Sequence, residues 1–190
     1  PSGKLTDTWP VNFDDNPSSE GFANQDGNTA QELYNDDIFV GYRYYDTFGV
    51  DVSYPFGYGG SYTSFAMSTK SVKADKDKVT VQVKVKNTGT VSGKEVAEVY
   101  FSAPDGELDK PYQELAGYAK TDELAPGESQ ILTISFDTKE MGSYDTDKAA
   151  YVMEDGDYII RVGNSSRNTH VAAKLNVAED TITEQYSNLS

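Results

Sequence analysis

Val79, Val81, Val83 and Val85 alternate with Thr80, Gln82, Lys84 and Lys86, and this stretch restricts the fold more than any other. A period of two sends successive side chains to opposite sides of an extended chain, giving one apolar face and one polar face. A helix would scatter the same valines around its circumference, and β-branched residues lose χ1 freedom there. An apolar strip along one side of a strand needs a second layer to cover it. The chain therefore contains at least two packed β-layers, and the sequence has to supply the strands that face Val79–Val85.

Those strands follow at short intervals. Asn87-Thr88-Gly89 supplies a turn, and Lys94 to Ser102 then brings Val96, Ala97, Val99, Tyr100 and Phe101 close together, a continuously apolar run suited to a central strand. After Pro126-Gly127, Leu132, Ile134 and Phe136 alternate with Thr133 and Ser135. Gly156 to Val162 and His170 to Val177 complete the set. Short strands separated by Gly, Pro and Asn turns predict a mainly β domain over residues 67–178, an antiparallel sandwich of immunoglobulin-like or fibronectin type III-like layout.

Residues 1–66 read differently. They are rich in Asp, Asn, Gly and Ser, with apolar residues in small islands. Leu5 to Trp9 alternates like a short strand stopped by Pro10, and Phe13 to Asn28 is polar and broken by Asn16-Pro17 and Asp26-Gly27, so it reads as a loop. Ile38 to Tyr45 fits either a short helix or a strand. Backbone ordering costs about 1–2 kcal/mol per residue, more than these islands can repay alone, so this part leans on something else. It ends in Tyr54-Pro55-Phe56-Gly57-Tyr58-Gly59-Gly60-Ser61-Tyr62-Thr63-Ser64-Phe65, a block of aromatics and glycines that reads as a seam between two structural units.

Charge and composition exclude several functions. With 31 acidic and 16 basic residues, the net charge of -15 repels nucleic acid and anionic membrane surfaces, so neither is expected as a partner. Lysines gather between Lys70 and Lys86, but Asp75 and Asp77 sit among them, which reads as a solvated strand face and not as a phosphate site. No apolar run approaches the ~20 residues of a membrane-spanning helix. The chain has no cysteine, which removes disulfides, thiolate zinc sites and cysteine nucleophiles.

Several motifs, in order, resemble the C-terminal portion of glycoside hydrolase family 3 enzymes, the β-glucosidase and β-xylosidase group. Pro1-Ser2-Gly3-Lys4-Leu5 with Thr8-Trp9-Pro10 is similar to a segment near the end of that family's α/β sandwich domain. Ile38 to Asp46 resembles its Gly-Tyr-Arg-Tyr motif, and Tyr54 to Phe65 its aromatic junction. Lys110 to Tyr118, Leu124 to Ser129, and Asp157 to Arg167 resemble its fibronectin-like domain. Gly60 departs from the pattern, standing where the family has Leu. Pro1 opens in mid-motif, which reads as a cut in a longer protein.

The resemblance implies three parts: residues 1–66 as the remnant of an α/β sandwich domain with its aromatic junction, residues 67–178 as a fibronectin type III-like β-sandwich, and residues 179–190 as a tail or linker. It implies a non-catalytic portion of a β-glycosidase that hydrolyses terminal non-reducing β-D-glucosyl or similar residues without a cofactor. Its partners would be the missing catalytic domains of the same polypeptide, and a β-linked oligosaccharide or glycoside would be the substrate of the parent. The family's nucleophile and acid/base motifs have no counterpart in this sequence, so no catalytic, cofactor-binding or metal-binding residue is expected, and the isolated chain is expected to be inactive. A stand-alone carbohydrate- or partner-binding sandwich is the alternative; it would need a row of exposed aromatics, and Tyr100, Tyr118 and Tyr158 do not form a regular one.

The remaining polar and aromatic candidates have plainer roles. The adjacent pairs Asp14-Asp15, Asp36-Asp37 and Glu154-Asp155 point apart in extended chain and suit turns better than a shared substrate. His170, the lone histidine, reads as structural or exposed. Arg43 among Tyr42, Tyr44 and Tyr45 reads as a staple that stacks on aromatic rings and fixes its loop. Trp9 and the seam tyrosines read as interface packing, and Asn164-Ser165-Ser166 as a strand-end turn although it fits a glycosylation acceptor pattern. Residues 1–50 are expected to pack poorly on the sandwich or to borrow contacts from a neighbouring molecule.

Overall fold

The computed structural model describes residues 3–24 and 26–187. Pro1 and Ser2 of the first motif, and the last three residues of the segment 179–190, lie outside the described residues. Two short strands, β1 (Trp9–Pro10) and β2 (Val52–Tyr54), pair with each other. One helix, α1 (Tyr42–Thr47), precedes β2. The strands of the main body are β3 (Phe65–Ala74), β4 (Lys78–Asn87), β5 (Val96–Ser102), β6 (Glu114–Lys120), β7 (Ser129–Asp137), β8 (Ser143–Asp145), β9 (Ala150–Met153), β10 (Gly156–Gly163), β11 (Thr169–Val177) and β12 (Thr181–Gln185).

Two antiparallel sheets face each other. One has the order β3-β4-β7, the other β11-β10-β5-β6. The alternating valines behave as their period demands: Val79, Val81, Val83 and Val85 are all fully buried, and the residues between them turn outward. Leu132, Ile134 and Phe136 lie beside them on β7, and Ala97, Val99, Phe101, Tyr158, Ile160 and Val162 face them from β5 and β10. Full burial of each large aliphatic side chain contributes about 1.5–3 kcal/mol, so this apolar layer supplies most of the drive to fold. This is the mainly β, fibronectin type III-like sandwich expected from the sequence.

Strand β5 lies centrally between β10 and β6 and is buried along both faces, which explains its continuously apolar sequence. The polar Asn87 is also fully buried, because its amide donates to the carbonyls of Val91 and Leu124, both at 2.8 Å, and its oxygen accepts from Thr63 Oγ1 at 2.8 Å. One side chain thus ties together the turn after β4, the loop before β7 and the end of the aromatic block.

Several elements differ from the sequence reading. Ile38 to Tyr45, which by sequence fits either a short helix or a strand, is a loop as far as Gly41 and helix from Tyr42, where α1 begins. Gly41 takes φ +60°, a conformation glycine adopts at little cost, and so turns the chain into that helix. Leu5 to Trp9 is not one strand: the chain bends at Thr6 and Asp7, and only Trp9–Pro10 is paired as a strand. Within the segment 179–190, Thr181–Gln185 is not free linker but a strand paired with β9, and Tyr186 packs its ring with Tyr144 and Tyr151. No helix among the described residues is long and apolar enough to cross a membrane.

Candidate functional site

The aromatic block has two sides with different chemistry. Its inner side lies on the outer surface of the β11-β10-β5-β6 sheet, where Phe56 stacks 4.9 Å from Tyr42, whose ring in turn meets Tyr100 edge-on at 6.0 Å. Phe56 also receives a backbone hydrogen bond at its carbonyl from Ser166, at 2.9 Å. Gly57 is buried with φ +78°, and a Cβ there would stand 2.5 Å from both carboxylate oxygens of Glu98 and 2.8 Å from Ser165 Cα. Close approach of backbone to a buried carboxylate therefore requires glycine at this position.

Beneath Gly57 lies a polar cluster. Glu98 is only 4% exposed and accepts a 2.6 Å hydrogen bond from the Tyr100 hydroxyl. Burial pushes its carboxyl above the usual carboxylate range, with nearby Glu95 adding to the rise; the Tyr100 hydrogen bond and the Lys4 ammonium pull the other way without cancelling it. The Tyr100 hydroxyl is itself pushed far up by burial and by Glu98. Lys4 reaches in from the start of the chain to pair with Glu95 at 3.0 Å and to donate to the Asn164 carbonyl at 2.9 Å. The backbone of Leu5 meets Gly57 and Tyr58 through two hydrogen bonds of 2.9 and 2.8 Å, so segments 3–5 and 56–58 dock as one ribbon.

A second anchor is built on α1. The Tyr42 hydroxyl accepts from the backbone N–H of Leu115 at 2.8 Å, and Thr47 Oγ1 accepts from that of Tyr112 at 2.8 Å. Arg43 does not stack among its neighbouring tyrosines; it pairs with Glu114 on β6 at 2.9 Å. Burial raises the Glu114 carboxyl, and the Arg43 charge offsets this only partly. From the turn after β10, Arg167 reaches back to Asp46 at 2.8 Å and to the carbonyls of Tyr45 and Val50 at 3.1 and 2.6 Å. The stacked guanidinium expected at Arg43 is found instead at Arg161, 4.9 Å above the Tyr112 ring.

The outer side of the block is open. Trp9 and Tyr54 meet edge to face at 5.9 Å, Tyr54 and Tyr58 lie 4.9 Å apart, and all three rings remain about half exposed. Tyr62 is 88% exposed. Val11, Phe13, Phe22, Leu33 and Tyr34 extend this exposed apolar character across the loop that follows β1. The expectation of poor packing over residues 1–50 thus describes this loop, whereas residues 3–8 and 42–50 are pinned to the sandwich.

The carboxylate pairs are spread over separate structural tasks. Asp15 caps a 3-10 turn by accepting from the Asn12 N–H at 2.7 Å, and Asp36 accepts from Ser18. Glu154 accepts from the N–H of Glu107 at 2.6 Å and pairs with Lys110, closing the loop between β5 and β6. Burial acts to raise its carboxyl, yet Lys110 and the two backbone donors outweigh that and hold it below the usual range. His170 is exposed and touches Thr69 Oγ1 at 3.1 Å, linking the edge strands β11 and β3. In the Asn164-Ser165-Ser166 turn, Asn164 Oδ1 accepts from Asn168 at 2.7 Å and both serines are buried. Among the described residues, no group of three or more His, Cys, Asp or Glu side chains could hold a metal ion.

Fold and seam together define a fibronectin type III-like sandwich carrying a docked N-terminal segment, and the family profile of the fibronectin type III-like domain matches residues 95–166. Along nearly its whole length the chain is homologous to the C-terminal parts of glycoside hydrolase family 3 β-glucosidases. It is 41% identical to β-glucosidase A of Butyrivibrio fibrisolvens over 99% of this chain and 25% of that protein. The crystal structure of a β-glucosidase from Paenibacillus barengoltzii superposes with a TM-score of 0.92 at 44% identity, over 99% of this chain and 22% of that one. β-Glucosidase 3B of Thermotoga neapolitana in complex with α-D-glucose gives 0.90 at 42% identity, over 97% and 26%. The chain thus spans about a quarter of the length of the relatives it matches.

Proposed function

We propose that this chain is the non-catalytic C-terminal portion of a β-glycosidase acting on terminal non-reducing β-D-glucosyl or similar residues, and that it braces the catalytic domains. In this reading residues 1–66 close an α/β sandwich domain, residues 67–178 form the fibronectin type III-like brace, and residues 179–190 are its tail or linker, of which Thr181–Gln185 pairs with β9. The observation that carries it is the two-sided aromatic block. One side is fixed to the sandwich by the Ser166–Phe56 hydrogen bond, by Gly57 over Glu98 and by the Lys4–Glu95 pair, while Trp9, Tyr54 and Tyr58 present an apolar surface at the open edge of a two-stranded sheet. Exposed aromatics beside an unpaired strand edge are costly to leave in water and suit a domain interface.

The experiment is complementation. The Butyrivibrio fibrisolvens β-glucosidase A polypeptide, shortened by the quarter that matches this chain, is assayed on an aryl β-glucoside with and without this chain. The chain alone is expected to hydrolyse nothing, the shortened enzyme little, and the mixture to recover activity. Recovery should fall when Trp9→Ala and Tyr54→Ala are combined. Hydrolysis by the chain alone, or tight association without any gain in activity, would overturn the proposal.

A further inference from the structure

Asp75 and Asp77 lie beside Lys76 and Lys78 at one end of the sheet, apart from the strand rows that carry Lys73, Lys84 and Lys86. Both occupy the hairpin turn between β3 and β4, where Asp75 Oδ1 accepts from the backbone N–H groups of Asp77 and Lys78, each at 2.9 Å. Beyond that turn, the outer face of the β3-β4-β7 sheet is free of carboxylates over four successive cross-strand rows, from the row of Lys86 to the row of Lys73. Lys84 and Lys86 stand on β4, Lys73 on β3, and Lys70 is exposed at the bulge in β3. None of these four takes part in an ion pair among the described residues, and neither do Lys76, Lys78, Lys94 and Lys120, whereas Lys4, Lys110, Lys139, Lys148 and Lys174 do. In a chain of net charge -15, these four rows gather positive charge with no carboxylate among them; the next row of the face pairs Lys78 with Asp137 and closes the patch at its turn end.

The remaining positions on the face are Ala66 beside Lys86, an exposed Ile131 beside Lys84, and hydroxyl and amide side chains such as Ser71 and Gln82, which hydrogen-bond to each other at 3.2 Å. We infer that this sheet face binds an acidic polysaccharide, with uronate carboxylates at the lysines and sugar hydroxyls along the rows of Ser, Thr and Gln. Ile131 offers an apolar contact for the C–H face of a ring. The face carries no arginine and no aromatic side chain, so it lacks the stacking platform used by nucleic-acid binders. Duplex DNA, with one charge per roughly 1.7 Å, would also be repelled more strongly by the acidic remainder of the chain than a sparsely charged polysaccharide. The inference stands whether or not the bracing role does, since it uses the sheet that faces away from the seam.

The test titrates the chain with polygalacturonate, neutral cello-oligosaccharides and duplex DNA at about 20 and about 200 mM salt. Polygalacturonate should bind at low salt and weaken at least about tenfold at high salt, because displaced counterions drive such contacts. Lys84→Gln/Lys86→Gln should lose at least about tenfold in affinity, and so should Lys70→Gln/Lys73→Gln on the adjoining strand. Lys94→Gln/Lys120→Gln, away from this face, should bind as the parent does. Hydrogen exchange at Val79–Val85 confirms that the variants keep the sheet. Absence of binding at low salt, equal affinity for DNA or neutral oligosaccharide, equal loss in the Lys94/Lys120 variant, or retention by both on-face variants would each overturn the inference.

Discussion

Val83 in β4 and Gly57 in the seam are both buried, but different forces bury them. Val83 sits in a continuous apolar layer in which each neighbour gains by excluding water. Gly57 sits over a carboxylate, a tyrosine hydroxyl and a lysine drawn in from the start of the chain, and little apolar area is removed there. Apolar packing tolerates rearrangement, because hydrophobic contacts are non-directional and similar volumes can substitute. A buried polar cluster does not, because every unpaired group keeps its full desolvation cost. The sandwich is therefore the stable body, and the N-terminal segment is a precise but weaker attachment, the first part to open in local unfolding.

That contrast can be broken in stages. The largest effect belongs to the core: Ile160→Ala should cost about 2–5 kcal/mol of global stability in chemical denaturation and should loosen both sheets together. Gly57→Val should act locally. A side chain at φ +78° strains the backbone by about 1–3 kcal/mol and also strikes Glu98, so amide protection at Leu5, Gly57 and Ser166 should drop while Val79–Val85 stay protected. Equal loss in both places would mean that seam and sandwich unfold as one unit.

Lys4→Met should be milder, about 1–3 kcal/mol, because Glu95 and the Asn164 carbonyl lose a donor at a site whose edge water can partly reach. The smallest effect is on pH. Glu98 and Glu114 have raised carboxyl pKa values, so the folded seam binds more protons than the unfolded chain between the ordinary and the raised value. Seam stability should accordingly fall as pH rises through that window and level off above it. Glu154 has the opposite sign: its contribution is present above the ordinary carboxylate range and is lost as pH falls through its lowered value. Exchange at Gly57 and Leu115 should slow relative to Val83 on acidification, after correction for intrinsic rates, and Glu98→Gln should flatten the Gly57 profile.

What the sequence disclosed follows the same division. Apolar alternation at Val79–Val85 and Leu132–Phe136 is a local signal, and both strands lie where the period places them. Strand β12 gives no such signal: Thr181–Gln185 is a short polar run whose state is decided by pairing with β9 and by Tyr186 meeting Tyr144 and Tyr151. The seam contacts were not legible at all, since Lys4 and Asn164 are 160 residues apart and neither belongs to a periodic pattern. Arg43 shows the limit most clearly, because its neighbours in sequence suggested stacking while its partner in space is Glu114. Gly57 was visible only as one glycine among several in the aromatic block, without a sign that a carboxylate lies against it.

The contact between Lys4 and Asn164 also orders events in time. Residues 3–60 leave the ribosome before the strands on which they rest, and Glu95, Glu114 and Arg167 emerge only afterwards. Local hairpins such as β3–β4 can close quickly, whereas contacts across such long separations wait until the intervening chain has been organised. Residues 3–60 are thus made before the sandwich strands yet settle after them, and until then Trp9, Phe56 and Tyr58 are available to any other apolar surface nearby.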